Sequence, residues 1–209
     1  MTDYGTYQQI EFRRKFFKIF GVDIHVYDPN TNSLIGFINQ KKIMLKPDVY
    51  FYTDETKTQS VVNLKKQTIG SFKPTYKITD SENGSELGSF VFNDFKSLFA
   101  RWHIDIKDAD GKAFGYVQET SSILAIVRRW IGLIFDVGEL ILAFIPQTFD
   151  IYYDPDGNNP QLVGRIVHRK NPLIVKMGLD ISQGQKVINP KINLAVCTLL
   201  CLRDINKNA

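Results

Sequence analysis

Cysteine, histidine and tryptophan are all scarce here: the chain has two, three and two of them. Two cysteines exclude a disulfide-built scaffold and a cysteine-rich zinc module. Cys197 and Cys201 lie four residues apart in an apolar stretch, so a helix places both on one face as small buried hydrophobes, in keeping with a reducing compartment. Three histidines, His25, His103 and His168, sit too far apart in sequence to share an element, which argues against a histidine-based metal or hydrolase site. No nucleophile elbow, phosphate-binding loop or paired metal motif occurs, and the expectation is a protein without enzymatic activity or cofactor. Strong charge is missing too. A net charge of +4 permits contact with an anionic surface but sets no expectation of nucleic acid. The first residues lack the basic, apolar and small-residue pattern of a secretory signal, so the expected location is the cytoplasm, with the inner membrane face as a peripheral site.

What the chain has in abundance is one phrase, written about five times: an alternating apolar run, a turn led by Asp, and a second apolar run. Ile24-His25-Val26-Tyr27-Asp28 leads into Leu34-Ile35-Gly36-Phe37-Ile38, and Tyr76-Lys77-Ile78-Thr79-Asp80 into Leu87-Gly88-Ser89-Phe90-Val91. Ile104-Asp105-Ile106-Lys107-Asp108 leads through Asp110-Gly111 to Phe114-Gly115-Tyr116-Val117, and Ile151-Tyr152-Tyr153-Asp154 through Asp156-Gly157 to Leu162-Val163-Gly164-Arg165-Ile166. A fifth copy without glycine joins Val49-Tyr50-Phe51-Tyr52-Thr53-Asp54 to Ser60-Val61-Val62-Asn63-Leu64. Period-two alternation marks half-buried strands, and a single hairpin cannot bury its apolar face alone, so the copies imply one closed or stacked sheet. An Asp at the head of a turn accepts a hydrogen bond from backbone two residues on, which gives these carboxylates a structural role first. As calcium loops they fail. The loop from Asp108 has Lys112 at the fifth place and Ala113 where glycine is required, and the loop from Asp154 ends on Arg165.

Two segments break the rhythm. Asn189-Pro190 followed by Lys191-Ile192-Asn193-Leu194-Ala195-Val196-Cys197-Thr198-Leu199-Leu200-Cys201-Leu202 reads as a helix over 190–204 with an N-cap and a proline in its first turn. It is apolar all round yet short of the roughly 20 residues a bilayer requires, so the expectation is a helix enclosed by sheet. Residues 121–146 form a second helical stretch, one helix or two with a break near Gly132 or Gly138. Arg128, Arg129, Asp136 and Glu139 fall in one narrow stripe and the remainder is apolar. Four charges at about +2.5 to +3.5 kcal/mol each outweigh apolar residues at about −0.3 to −0.6 each, so the segment lies along a surface rather than across a membrane.

The candidate contact residues come from this stretch and from the start of the chain. Arg13, Arg14, Lys15 and Lys18 alternate with Phe16, Phe17 and Phe20, and helical spacing collects rings on one side and cations on the other, a pattern that docks on anionic bilayers. Phe16 to Phe20 also read as a first strand or core plug. Arg128, Arg129 and Trp130 complete the candidate set. Residues 1–9 are polar and expected to be flexible; residues 10–209 are expected to form one domain.

The phrases Asp48-Val49-Tyr50-Phe51-Tyr52-Thr53-Asp54-Glu55, Lys96-Ser97-Leu98-Phe99-Ala100-Arg101-Trp102, Gly115-Tyr116-Val117-Gln118-Glu119 and Arg128-Arg129 leading to Ile145-Pro146-Gln147, with the apolar C-terminal helix, resemble the tubby C-terminal-like superfamily, which includes LURP-one-related proteins and phospholipid scramblases. The likeness is closest to bacterial scramblase-related proteins and spans roughly residues 10–205. It implies a mainly β fold, a closed antiparallel barrel of about twelve strands around the C-terminal helix, with the 121–146 segment inserted. None of these phrases is a catalytic signature. Gly184-Gln185-Lys186-Val187-Ile188-Asn189 stands where scramblases carry an acidic calcium segment, and the palmitoylated cysteine cluster is lacking, so calcium-triggered scrambling is not implied. The resulting expectation is a peripheral phospholipid-binding module, with a soluble scaffold using 121–146 as a protein or homo-oligomer interface as the alternative.

Overall fold

The computed structural model describes residues 3–15, 22–40, 48–68, 73–92, 102–120, 147–169, 174–184 and 187–207. Twelve strands follow a short 3-10 turn at Tyr4–Thr6: β1 Gln9–Lys15, β2 Val22–Tyr27, β3 Leu34–Gln40, β4 Asp48–Tyr52, β5 Ser60–Lys66, β6 Thr75–Asp80, β7 Glu86–Phe92, β8 His103–Lys107, β9 Ala113–Glu119, β10 Gln147–Tyr153, β11 Gln161–Arg169 and β12 Ile174–Asp180. Each pairs antiparallel with its sequence neighbours, and β1 pairs with β12 to close the barrel. The five repeated phrases are the five hairpins β2–β3, β4–β5, β6–β7, β8–β9 and β10–β11.

Alternation explains the wall. Val22, Ile24 and Val26 face inward between outward Asp23, His25 and Tyr27, and the same two-residue rhythm runs through β7, β8 and β9. A barrel of eight strands is filled by its own side chains; twelve leave a wider lumen. Helix α1, Pro190–Lys207, occupies it. Every residue from Leu194 to Leu202 is buried, which is why this helix is apolar on all sides. It runs three residues beyond the span read from sequence. Asn189 caps it, its side-chain oxygen accepting from the Lys191 N–H at 2.9 Å.

All five hairpins share one irregularity: an extra residue in the second strand, opposite Val26/Tyr27, Phe51/Tyr52, Ile78/Thr79, Ile106/Lys107 and Ile151/Tyr152. Such bulges increase local twist and help a sheet close. In four copies the residue after the bulge is Gly36, Gly88, Gly115 or Gly164, which accounts for the glycine in the repeated phrase. At Gly88, whose φ is +141°, an added Cβ would lie 2.1 Å from the Lys107 carbonyl oxygen. At Gly115 it would lie 2.4 Å from that of Tyr152. The neighbouring strand passes too close for any side chain.

The start of the chain departs from expectation. Tyr4 is not part of a loose tail; it is 4% exposed and its hydroxyl donates to the Ile35 carbonyl at 2.8 Å. Gln9 to Lys15 form a strand rather than an amphipathic helix, because their backbone completes the ladder with β12 on one side and β2 on the other.

Candidate functional site

The hairpin turns gather at one end of the barrel, and each begins with an Asp whose carboxylate is already bonded. The Asp28, Asp54 and Asp80 side chains accept from the N–H groups of Asn30, Thr56 and Glu82 at 2.9, 2.8 and 3.0 Å. Asp108 and Asp154 accept from Lys112 and Asn159 at 2.8 and 3.1 Å. A sixth copy, Asp180 with Ser182 at 3.0 Å, follows β12. The Asn30 N–H first, then the Thr31 hydroxyl, holds the Asp28 carboxyl below the usual range, and the Thr56 hydroxyl and N–H do the same for Asp54. Among the described residues, no group of three or more His, Cys, Asp or Glu is placed to hold a metal ion.

Strand geometry separates the basic residues proposed from sequence. Arg13 faces outward, where its guanidinium bonds Glu11 and stands 4.2 Å from the centre of the Tyr27 ring. Arg14 takes the inward face, opposite Ile24 and Val175. The helical gathering of cations on one side is therefore corrected: consecutive strand residues cannot share a face. Lys15 ends β1 and its side chain lies outside the described residues, as do Phe16, Phe17, Lys18, Phe20, Arg128, Arg129, Trp130 and the whole 121–146 segment.

The histidines do not converge. His25 on β2 reaches Glu55 at 2.5 Å. His103 on β8 reaches Asp105 at 2.9 Å and stacks on Tyr116, which stacks in turn on Tyr152. His168, 2% exposed, faces inward on β11.

One concave feature was not read from the sequence. A cavity of about 450 Å³ runs along the outer wall over β1, β12 and β11, lined by Glu11, Arg165, Lys176, Gly178, Asp180 and their neighbours. Its signal is the run Lys176-Met177-Gly178-Leu179-Asp180, in which an outward strand position between two charged ones has no side chain.

Together these features define a closed twelve-stranded antiparallel barrel wrapped around an apolar helix. The sequence matches no protein-family model and no curated protein. Among solved structures it is similar to a porin-like protein from Bacteroides uniformis ATCC 8492, at 10% identity over 83% of this chain and 96% of that one, with a TM-score of 0.20. An overlap that loose carries no argument.

Proposed function

We propose that this chain is a non-enzymatic, tubby-like barrel that docks peripherally on an anionic phospholipid surface through one end. The observation that carries the reading is a difference in charge, read in sequence, between the two sets of connections that join the strands. The five hairpin turns carry Asp28, Asp54, Glu55, Glu82, Asp108, Asp110, Asp154 and Asp156 against Lys57 and Lys112. The six connections attached at the opposite strand ends carry, in sequence, Lys18, Lys41, Lys42, Lys46, Lys73, Lys96, Arg101, Arg128, Arg129 and Lys170 against Asp94, Asp136 and Glu139. Phe16, Phe17, Phe20, Phe72, Phe95, Phe99 and Trp130 interleave with them. Each Lys or Arg near an anionic leaflet contributes about 1 kcal/mol, and rings at headgroup depth add apolar area.

The wall favours contact by an end over insertion. Lys77, Asp105, Arg165 and Lys176 face outward at mid-barrel while apolar residues face the helix, the inverse of a membrane-spanning barrel, whose apolar band is outside. Among the described residues no helix is long and apolar enough to cross a membrane. The strand count and enclosed helix support the tubby-like part of the reading.

Liposome flotation tests it. The chain is expected to float with phosphatidylserine-containing vesicles at low salt and to dissociate as salt rises. Changing Lys41, Lys42 and Lys46 together to Gln removes about 3 kcal/mol, roughly a hundredfold in affinity. Arg13→Gln, whose native side chain is already bonded on the wall, leaves binding unchanged. No flotation at low salt overturns the proposal.

A further inference from the structure

We propose that the cavity over Gly178 binds a small zwitterion, a molecule with an ammonium group at one end and a carboxylate or phosphate at the other. Gly178 lies at the centre of the outward face of β12, with Lys176 and Asp180 two residues to either side. Its cross-strand partners are Glu11 on β1 and Val167 on β11, and Arg165 sits diagonally, opposite Asp180. An added Cβ at Gly178 would meet no atom within 4 Å, so the depression reaches down to backbone. Its volume of about 450 Å³ is that of a small-molecule site, which typically spans about 300–1,000 Å³.

The rim alternates in sign. Glu11 and Asp180 present carboxylate oxygens to an ammonium, whereas Lys176 and Arg165 present N–H donors to an anion. Lys176 Nζ stands 3.6 Å from Glu11 Oε1, beyond a direct hydrogen bond, and that same oxygen accepts from the Arg13 guanidinium, so Lys176 keeps its donors for an anion while Glu11 meets an ammonium with one oxygen already engaged. Arg165 is anchored from the far side, its Nε and Nη2 donating to Asp150 at 2.7 and 3.3 Å, which uses two of five N–H donors. Asp180 is held by the Ser182 N–H and hydroxyl at 3.0 and 2.7 Å on one oxygen and by the Gln9 side-chain amide at 3.1 Å on the other, which leaves it the remaining lone pairs for a ligand. These anchors fix the rim before any ligand arrives. A ligand of one sign meets a like charge beside every opposite one, but a zwitterion satisfies both, with Val167 as the apolar wall along its linker.

The test titrates the full-length, ¹⁵N-labelled chain with O-phosphoethanolamine and with glycylglycine. Saturable amide shifts centred on Gly178, Val167 and Glu11 are expected, and ethylamine or inorganic phosphate alone should bind at least about tenfold more weakly. Gly178→Leu sets its Cβ in open space on an outward strand position and fills the depression, so it is expected to melt like the parent and to lose the shifts. Lys176→Gln, on an exposed side chain, is expected to weaken binding about tenfold and serves as the second variant should Gly178→Leu not fold. Vesicles with and without phosphatidylethanolamine separate the sources. A flotation increment lost in Gly178→Leu assigns the ligand to a lipid headgroup, and soluble shifts with no such increment assign it to a free small molecule. No saturable shift with either probe and no such increment, or undiminished binding in a folded Gly178→Leu protein, overturns the site whatever the outcome with anionic vesicles.

Discussion

Lys191 Nζ, in the first turn of α1, stands 2.8 Å from both carboxylate oxygens of Asp80, 111 residues earlier at the end of β6. It also lies 3.0 Å from Glu82 Oε1. A cation in the first turn opposes the helix dipole, and the two acids reverse the sign of that region. The side chains of Lys191 and Asp80 are only 17% and 11% exposed, so the contact fixes the depth and rotation of the helix at the turn end of the lumen. Lys191→Met leaves a buried carboxylate uncompensated and should destabilise the fold by about 3 kcal/mol in urea denaturation. Adding Asp80→Asn removes the stranded charge and should restore a substantial part of that loss. A single-variant cost indistinguishable from zero would show that the helix is not held there.

Acid should unfold the barrel through its turns. At Asp80, burial, which alone raises the pKa, is outweighed by the Lys191 and Glu82 hydrogen bonds, and at Asp180 burial is outweighed by Ser182 and Gln9. Asp28 and Asp54 are held low as well. A depressed folded-state pKa contributes stability that is present above the unfolded value, about 3.9, and lost as pH falls through the lower folded value. Chemical denaturation midpoints should therefore hold through neutral pH and drop below about pH 4, with a shallower acid limb in Asp80→Asn. Lys191, raised chiefly by Asp80 and Glu82 against the effect of burial, works in the other direction. Its contribution is present below about pH 10.4 and lost as pH rises through the higher folded value.

The glycines divide into two kinds that one experiment separates. Gly115→Ala drives a Cβ to 2.4 Å from the Tyr152 carbonyl oxygen, backbone that cannot step aside cheaply. About 3 kcal/mol of stability should be lost. Gly178→Ala meets nothing and relieves a strand of its most flexible residue, so it should be neutral or gain up to about 1 kcal/mol. Equal effects at the two positions would contradict the post-bulge role assigned to Gly115.

Ten strands and the enclosed helix were legible in the sequence because each announces itself locally. A hairpin such as Ile104 to Val117 contains both partners and their turn within fourteen residues of chain. Asn189-Pro190 marks the helix start in the same way. β1 and β12 were not legible as a pair, since Gln9 and Asp180 are 171 residues apart and no local pattern couples them. Without that partner, Arg13 and Arg14 looked like neighbours on a helix face, when strand geometry sends one to Glu11 and Tyr27 and the other inward. The cavity was hidden for the same reason. Glu11, Arg165, Lys176 and Asp180 are scattered in sequence and meet only when the barrel closes.

The two thiols report directly on whether the helix is enclosed. Cys197 is fully buried and Cys201 is 5% exposed, its Sγ 3.5 Å from Met177 Sδ. Burial first, then the neighbouring Cys201 thiol, pushes the Cys197 pKa well above its usual value, and only a thiolate reacts with a disulfide reagent. In native buffer, labelling by an aromatic disulfide should proceed no faster than barrel opening, and denaturant should release both thiols. Cys201 lies one turn further along α1, away from the Lys191–Asp80 contact. Partial opening from that end should expose it first, whereas opening at the turn end should favour Cys197. Lys191→Met should therefore raise the Cys197 rate more than the Cys201 rate. Rapid reaction of Cys197 in the folded parent protein would contradict a helix surrounded by sheet.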